Sequence, residues 1–191
     1  MTPPKLIALC SPVMGSGKSE VASRLVTHHG FQLVKFAGPL KDMGDALFKS
    51  MGYSLLDRAL LLEGCHKETP LQGLPGVTPR HIMQTLGTEW GRDTIAKDLW
   101  VQVAMGHVRH HLRNGTPVVL DDMRFLNEMA AVVLEGGVPV RVLRPDMSGY
   151  AAHASEGELN GYGMRELWNG GTLADLHATV EFLLEGLDLN G

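Results

Sequence analysis

The chain has 191 residues, a hydrophobic fraction of 44% and a formal net charge of −4. This length suits one compact domain with a sizeable core, and the hydrophobic fraction is well above that of disordered chains. The negative charge argues against a general nucleic-acid binder, which would usually be basic. Two cysteines are too few for a disulfide framework, and no apolar stretch approaches the roughly 20 residues that span a bilayer. We therefore expect a cytoplasmic protein without a membrane contact.

Strand-like and helix-like segments alternate along the first half of the chain. The apolar run at residues 6–10 predicts a buried strand, and apolar residues at helical spacing then predict a helix that ends at Gly30. Residues 31–36 alternate like a second strand, and a helix follows from Gly38. Residues 63–78 are rich in glycine and proline, so they predict a loop that is long enough to be functional.

The second half of the chain repeats this alternation. Strands that alternate with helices imply a parallel sheet covered by helices on both faces. No repeat or linker interrupts the pattern, so we expect a single domain over residues 1–191. The remaining predicted elements are helices from residue 79, at about 97–112, at 128–135 and over Leu173 to Leu183, with strands at 117–120, 138–143 and near Leu167.

A glycine-rich turn between the first strand and the first helix carries the clearest chemical signal. Residues 11–19 read Ser-Pro-Val-Met-Gly-Ser-Gly-Lys-Ser, which matches the P-loop pattern except that proline stands at position 12. In such a loop backbone N–H groups converge on phosphate oxygens, Lys18 reaches the β- and γ-phosphates, and the Ser19 hydroxyl ligates Mg²⁺. The sequence thus predicts the α/β fold of a P-loop NTPase. The expected contacts to the ATP phosphates are Met14, Gly15, Ser16, Gly17, Lys18 and Ser19.

Two aspartates at a strand end predict the second anionic element of such a site. Asp121 and Asp122 follow the buried strand at residues 117–120, where a carboxylate would hold Mg²⁺ through water or activate the acceptor oxygen. The alternative is that they cap the next helix. We favour Asp122 because it stands two residues before Arg124, so both side chains share a direction if the strand continues. Which aspartate is closer to the metal stays open.

Cationic side chains elsewhere predict an acceptor side. Arg80 and Gln84 are four residues apart on one predicted helix, so they share a face, and Arg92 lies near the end of that helix. Lys41 and Arg124 follow sheet strands, and open α/β sheets bind ligands beyond the carboxyl ends of their strands. Any one of these charges could be a solvated surface residue. Their placement as a set favours binding of a phosphorylated acceptor.

Several blocks resemble, in matching order, motifs of the deoxynucleoside monophosphate kinases of tailed bacteriophages and prophages. The blocks are residues 36–41, residues 80–89, residues 122–124 with Glu128, residues 142–145 and residues 169–172. The resemblance implies a nucleoside-monophosphate-kinase-like fold with a parallel five-stranded sheet. It also implies transfer of phosphate from ATP, with Mg²⁺, to a deoxynucleoside monophosphate, in the host cytoplasm if the gene belongs to a phage.

The same resemblance assigns roles to individual residues. It implies that Asp122 and Arg124 lie beside the phosphates. Together with Lys18 of the loop they are the predicted catalytic residues, and Ser19 and Asp122 are the predicted metal ligands. The resemblance also implies an acceptor-binding helical region at about 38–115 and a lid-like segment at about 145–165. The implied substrate contacts are Lys41, Arg80, Gln84, Arg92, His153 and Glu156.

Other functions stay open from the sequence alone. The acceptor could be a hydroxymethylated pyrimidine in a nucleotide or in DNA, and the chain could be a nucleotide-binding regulator without catalysis. We expect the protein to bind a small nucleotide and to form no stable complex with nucleic acid. A homodimer is the oligomeric state that stays open. The base and sugar preference of the acceptor are not readable from these motifs.

Overall fold

A computed structural model describes residues 5–145 and 158–188, and these residues form two compact units. The first unit combines Met1–Phe36 with Met105–Gly191, and the second is Ala37–Ala104. The second unit covers most of the stretch at about 38–115 that the sequence assigns to the acceptor.

The first unit is built on a parallel five-stranded sheet with the strand order β2-β3-β1-β4-β5. Every residue of its central strand is buried, and so is every residue of the neighbouring third strand, as a sheet covered on both faces requires. This arrangement confirms the predicted sheet of a P-loop fold. The strands are β1 (Leu6–Cys10), β2 (Gln32–Val34), β3 (Val118–Leu120), β4 (Val138–Leu143) and β5 (Arg165–Trp168).

The helices of the described residues follow the alternation that the sequence predicts. They are α1 (Lys18–His29), α2 (Gly38–Ser50), α3 (Leu55–Leu62), α4 (Pro79–Thr85), a π-helix (Leu86–Ile95), α5 (Leu99–Arg113), α6 (Leu126–Leu134) and α7 (Leu173–Asp188). None of them, within the described ranges, has the length and apolar character needed to cross a bilayer.

Helices cover both faces of the sheet because β1 is apolar on both sides. Ile7 and Leu9 belong to one core cluster with Leu25 of α1 and Val180 of α7. Leu6 points to the opposite face, where α6 packs against β1 and β4. This sandwich confirms the expectation of helices on both faces.

The strand β2 is shorter at both ends than the predicted segment at residues 31–36. The N–H of Phe31 donates to the carbonyl of Leu25 in α1 at 3.2 Å. The N–H of Phe36 donates to Oδ1 of Asp122 at 2.9 Å instead of joining the sheet ladder. Helix α6 begins at Leu126, two residues before the predicted start, because Glu128 accepts the N–H groups that precede the helix. The carboxyl end of β2 and the start of α6 are therefore both set by side chains that bond to the backbone.

The second unit has its own core around Phe48, Leu61 and Leu71. Its π-helix is the main difference from the sequence prediction, which has an α-type pattern from residue 79. The indole of Trp100 donates to the carbonyl of Gly87 at 2.8 Å and covers Gly91, where a Cβ would lie 2.6 Å from the indole ring. The indole of Trp100 thus binds a backbone carbonyl of the helix and packs against the wider turn of the π-helix.

Candidate active site

The phosphate loop connects β1 to α1, and its glycines are required by backbone conformation. Gly15 and Gly17 have φ angles of 75° and 101°, in a region that L side chains rarely adopt. A Cβ on Gly17 would also lie 2.5 Å from Nδ2 of Asn169. Gly17 immediately precedes α1, so the loop delivers its N–H groups to the positive end of that helix. This is the local geometry that a phosphate-binding loop needs.

Pro12 occupies the position of the missing glycine without disrupting the turn. The Ser11 hydroxyl donates to the carbonyl of Val13 at 2.7 Å and accepts from the Val13 N–H at 3.2 Å. Such a hydroxyl-stabilised turn does not need an N–H at position 12, and proline has none. The structure thus accounts for the departure from the full motif.

Two side chains from the ends of β4 and β5 hold carbonyl groups of the loop. Nδ2 of Asn169 donates to the carbonyl of Ser16 at 2.8 Å, and Nη1 of Arg144 donates to the carbonyl of Gly15 at 3.4 Å. Asn169 follows β5, and its own N–H donates to Leu143 at the end of β4 at 2.7 Å. Sequence reasoning placed neither residue in the site; the only signal was that both fall in resemblance blocks.

The two aspartates lie at the carboxyl end of β3, beside the end of β2. Asp121 is 6% exposed, and its Oδ2 accepts from Nζ of Lys35 at 3.2 Å. Its Oδ1 is buried and has no hydrogen-bond partner among the described residues. Asp122 accepts from the N–H of Phe36 through Oδ1. The strand ends at Leu120, so the side-chain alternation that favoured Asp122 does not extend to Arg124.

The oxygen ligands near the loop fit a magnesium ion. Mg²⁺ prefers carboxylate and hydroxyl oxygens together with substrate phosphates. Ser19 is exposed in the first turn of α1, and Asp121 presents a buried oxygen that a cation or its water would satisfy. Ser19 and the aspartate pair are thus the residues that would hold the ion.

Arg124 lies near the start of the phosphate loop. It lines a small cavity together with Ser11 and Arg141, and its side chain is exposed. Its N–H donates to Oε2 of Glu128 at 2.7 Å, and Glu128 itself is only 3% exposed. A buried carboxylate therefore fixes the backbone of the arginine that was predicted to act at the phosphates.

Cys10 closes the same cavity from β1. Burial raises the pKa of the Cys10 thiol, against the opposing charges of Arg141 and Lys18. Its Sγ lies 3.3 Å from the sulfur of Met164. A thiol in this state stays protonated and packs as a small apolar group.

The predicted acceptor residues Lys41, Arg80, Gln84 and Arg92 all belong to the second unit. Lys41 of α2 forms an ion pair with Glu63, and Arg80 of α4 forms one with Glu68. Gln84 is exposed on α4, and Arg92 is partly buried in the π-helix. Both ion pairs are partly solvated, so breaking either costs on the order of 1 kcal/mol or less. An anionic ligand could therefore displace the carboxylates.

The predicted lid-like segment falls largely outside the described residues. His153 and Glu156, the substrate contacts assigned to it, belong to the part of the chain that is not described. The described chain resumes at Glu158, whose Oε1 accepts from the N–H of Leu126 at 3.0 Å. Nη2 of Arg141 donates to the carbonyls of Leu159 and Tyr162 at 2.6 and 2.9 Å. The end of the segment is thus attached to β4 and to the start of α6.

Comparison with known proteins gives one informative sequence relative. The chain is 34% identical over 154 residues to a protein of Acanthamoeba polyphaga mimivirus named "Putative deoxynucleotide monophosphate kinase", an alignment covering 76% of this chain and 77% of the viral one. No family model matches the sequence.

Solved structures overlay on the chain with low sequence identity. TT1252 from Thermus thermophilus has 20% identity and a TM-score of 0.47, with 97% of this chain and 99% of the other covered. The dephospho-CoA kinase of Campylobacter jejuni has 13% identity and a TM-score of 0.47, with 98% and 99% covered. The viral relative and the loop geometry indicate the family of the chain. On these grounds the chain belongs to the same family as the mimivirus protein and is a P-loop kinase.

Proposed function

We propose that the protein uses ATP to convert a deoxynucleoside monophosphate into its diphosphate. The observation that carries the kinase chemistry is the phosphate loop between β1 and α1, with a buried carboxylate at the end of the adjacent strand β3. The name of the viral relative supports the choice of acceptor. The resemblance of residues 80–89 and 122–124 to phage kinases supports the same acceptor.

The reaction requires an in-line displacement at the γ-phosphorus. An oxygen of the acceptor phosphate forms a bond to that phosphorus, and the bond from the phosphorus to the β–γ bridging oxygen breaks. ADP leaves with the bonding electrons, and the acceptor becomes a diphosphate. The protein contributes position and charge: loop N–H groups, Lys18 and Arg124 stabilise the negative charge on the transferred group. Ser19 and the aspartate pair would hold Mg²⁺, which would neutralise part of that charge.

The acceptor's own phosphate also needs cationic partners. We propose that Lys41, Arg80 and Arg92 bind it, with Gln84 contacting the nucleoside. Glu63 and Glu68 form ion pairs with Lys41 and Arg80. A phosphate that carries more charge than one carboxylate can replace them at small cost because the pairs are solvated. His153 and Glu156 remain proposed substrate contacts of the lid-like segment.

A substrate panel tests the proposal directly. The four common deoxynucleoside monophosphates and a hydroxymethylated pyrimidine nucleotide are each incubated with ATP and Mg²⁺, and nucleoside diphosphates are separated by chromatography. We expect one or two of the common nucleotides to be converted. Lys18→Ala should lower kcat by on the order of 10³-fold, whereas Lys49→Ala, an exposed lysine of α2, should not change it. If no common nucleotide is phosphorylated, the proposed acceptor is wrong.

A matched pair of variants identifies the metal-side carboxylate. Asp122→Asn keeps an oxygen for the Phe36 N–H, whereas Asp121→Asn removes the charge opposite Lys35 and alters the unpartnered oxygen. If Asp121 serves the metal, Asp121→Asn should raise the Mg²⁺ concentration for half-maximal rate by about tenfold or more. The reverse result would favour Asp122.

Arg80→Ala tests the acceptor side, with Arg109→Ala as its control. Both arginines form an ion pair with a glutamate: Arg80 with Glu68, which is exposed, and Arg109 with Glu135, which is partly buried. We expect Arg80→Ala to raise the KM for the acceptor about tenfold or more while the KM for ATP stays the same. Equal effects of the two variants would remove Arg80 from the proposed site.

A further inference from the structure

Asn169 connects the far edge of the sheet to the phosphate loop. It is the first residue after β5, and its N–H donates to the carbonyl of Leu143 on β4 at 2.7 Å. The sheet order places β4 between β5 and β1, so β4 and β5 end at the edge of the sheet from which the loop leaves β1. The backbone of Asn169 is therefore fixed by the sheet itself.

The side chain of Asn169 reaches the interior of the loop. Its Nδ2 donates to the carbonyl of Ser16 at 2.8 Å, and Ser16 is only 1% exposed. The same Nδ2 occupies the space beside Gly17, at 2.5 Å from the position of a Cβ. An amide donor is thus packed against the peptide unit that joins Ser16 to Gly17.

The direction of that carbonyl determines the direction of an N–H group. In a planar trans peptide the C=O of one residue and the N–H of the next point in opposite directions. When Asn169 holds the Ser16 carbonyl, the Gly17 N–H must point away from Asn169. Arg144 holds the Gly15 carbonyl, which orients the Ser16 N–H in the same manner. Loop N–H groups are the phosphate donors in this class of site.

We propose that Asn169 is a positioning residue of the phosphate loop, which orients the Gly17 N–H for phosphate through the Ser16 carbonyl without touching the nucleotide. This inference rests on the proposed function insofar as the loop binds ATP. Glycine at position 17 has φ of 101° and no Cβ, so its peptide unit has a wide range of rotation unless it is held. The amide of Asn169 supplies the restraint, and a preorganised loop binds phosphate without first paying to order this peptide.

The test compares Asn169→Ala and Asn169→Leu with the control Asn114→Ala. Leucine has nearly the shape of asparagine but no donor, and Asn114 is an exposed asparagine at the end of α5. Dissociation constants for ATP and for inorganic tripolyphosphate are measured by calorimetry, together with the melting temperature of each variant. Tripolyphosphate separates a loop effect from a base or ribose contact because it carries neither group.

Both Asn169 variants should raise the dissociation constants for ATP and tripolyphosphate about tenfold, which is the effect of losing one hydrogen bond. The control variant should leave both constants unchanged. Weakening of ATP alone would mean that Asn169 contacts the base or ribose, which overturns the inference. A lower melting temperature with unchanged affinities would show a merely structural role and overturn it as well. If the unaltered protein binds ATP but makes no diphosphate, only the proposed function fails; absence of ATP binding would overturn both.

Discussion

Replacing Gly17 with alanine should expose how tightly the loop and Asn169 are fitted together. At φ of 101° an alanine costs about 1–2 kcal/mol in backbone strain. Its Cβ would also meet Nδ2 of Asn169 at 2.5 Å, so the amide must leave the Ser16 carbonyl and a hydrogen bond of about 1 kcal/mol is lost. We expect Gly17→Ala to lower the free energy of unfolding by about 2–3 kcal/mol.

Gly30→Ala is the matched control at the other end of α1. Gly30 has φ of 70°, and nothing lies within 4 Å of the position of a Cβ. An alanine at position 30 therefore introduces backbone strain without a clash, and should lower the free energy of unfolding by only about 1 kcal/mol. Urea unfolding of the two variants, fitted with a common slope, measures the difference.

A double-mutant cycle isolates the contact. Asn169→Ala removes the hydrogen bond to the Ser16 carbonyl, and the Cβ of an alanine at position 17 would displace the same bond. The two substitutions therefore lose one hydrogen bond between them. The double variant should cost about 1 kcal/mol less than the sum of the single variants. Additive costs, or equal costs for Gly17→Ala and Gly30→Ala, would refute the reasoning that the two residues compete for one position.

Other predictions concern the cores and charges of the two units. Phe48→Ala should lower the free energy of unfolding by about 3–5 kcal/mol in urea titrations, because this ring is 0% exposed in the core of the second unit. The hydrogen bond from Arg24 holds the pKa of Glu181 below its ordinary value of 4.5, so this carboxylate stabilises the fold above that pH and loses its effect as the pH falls. The free energy of unfolding, measured as the pH falls through and below 4.5, should depend less on pH in the Glu181→Gln variant than in the unaltered protein. Glu63→Gln removes the carboxylate that competes for Lys41 and should lower the KM for the acceptor up to about fivefold in initial-rate assays.

The regular part of the fold was readable from hydrophobic pattern because the sheet is buried on both faces. The strand β4 has the predicted bounds, and β1 stands out as an apolar run before a glycine-rich turn. The π-helix was not predictable from periodicity, because its widened turn accompanies packing of Trp100 against Gly91. The short β2 likewise depends on a hydrogen bond to Asp122 from a distant part of the chain.

Some residues of the candidate site could also be predicted from the sequence, whereas other contacts depend on the folded structure. Lys18 and Ser19 follow from motif spacing, and their place at the start of α1 agrees with it. The contact of Asn169 with the Ser16 carbonyl was not readable, since it joins two residues that are 153 positions apart in the chain. The contact of Glu128 follows the local spacing of a capping box. The pairing of Arg80 with Glu68 also lay beyond the pattern, because a loop residue supplies the partner.

The central position of β1 has a consequence for how such an enzyme can change over time. The phosphate loop has neighbours on two sides: the β2 and β3 ends bring the aspartates with Lys35, and the β4 and β5 ends bring Arg144 and Asn169. Under the proposals above, the first side governs metal chemistry and the second governs the shape of the loop. Substitutions on one side can then alter metal preference while nucleotide affinity is preserved, and the reverse holds for the other side. The two properties are open to separate selection within one small sheet.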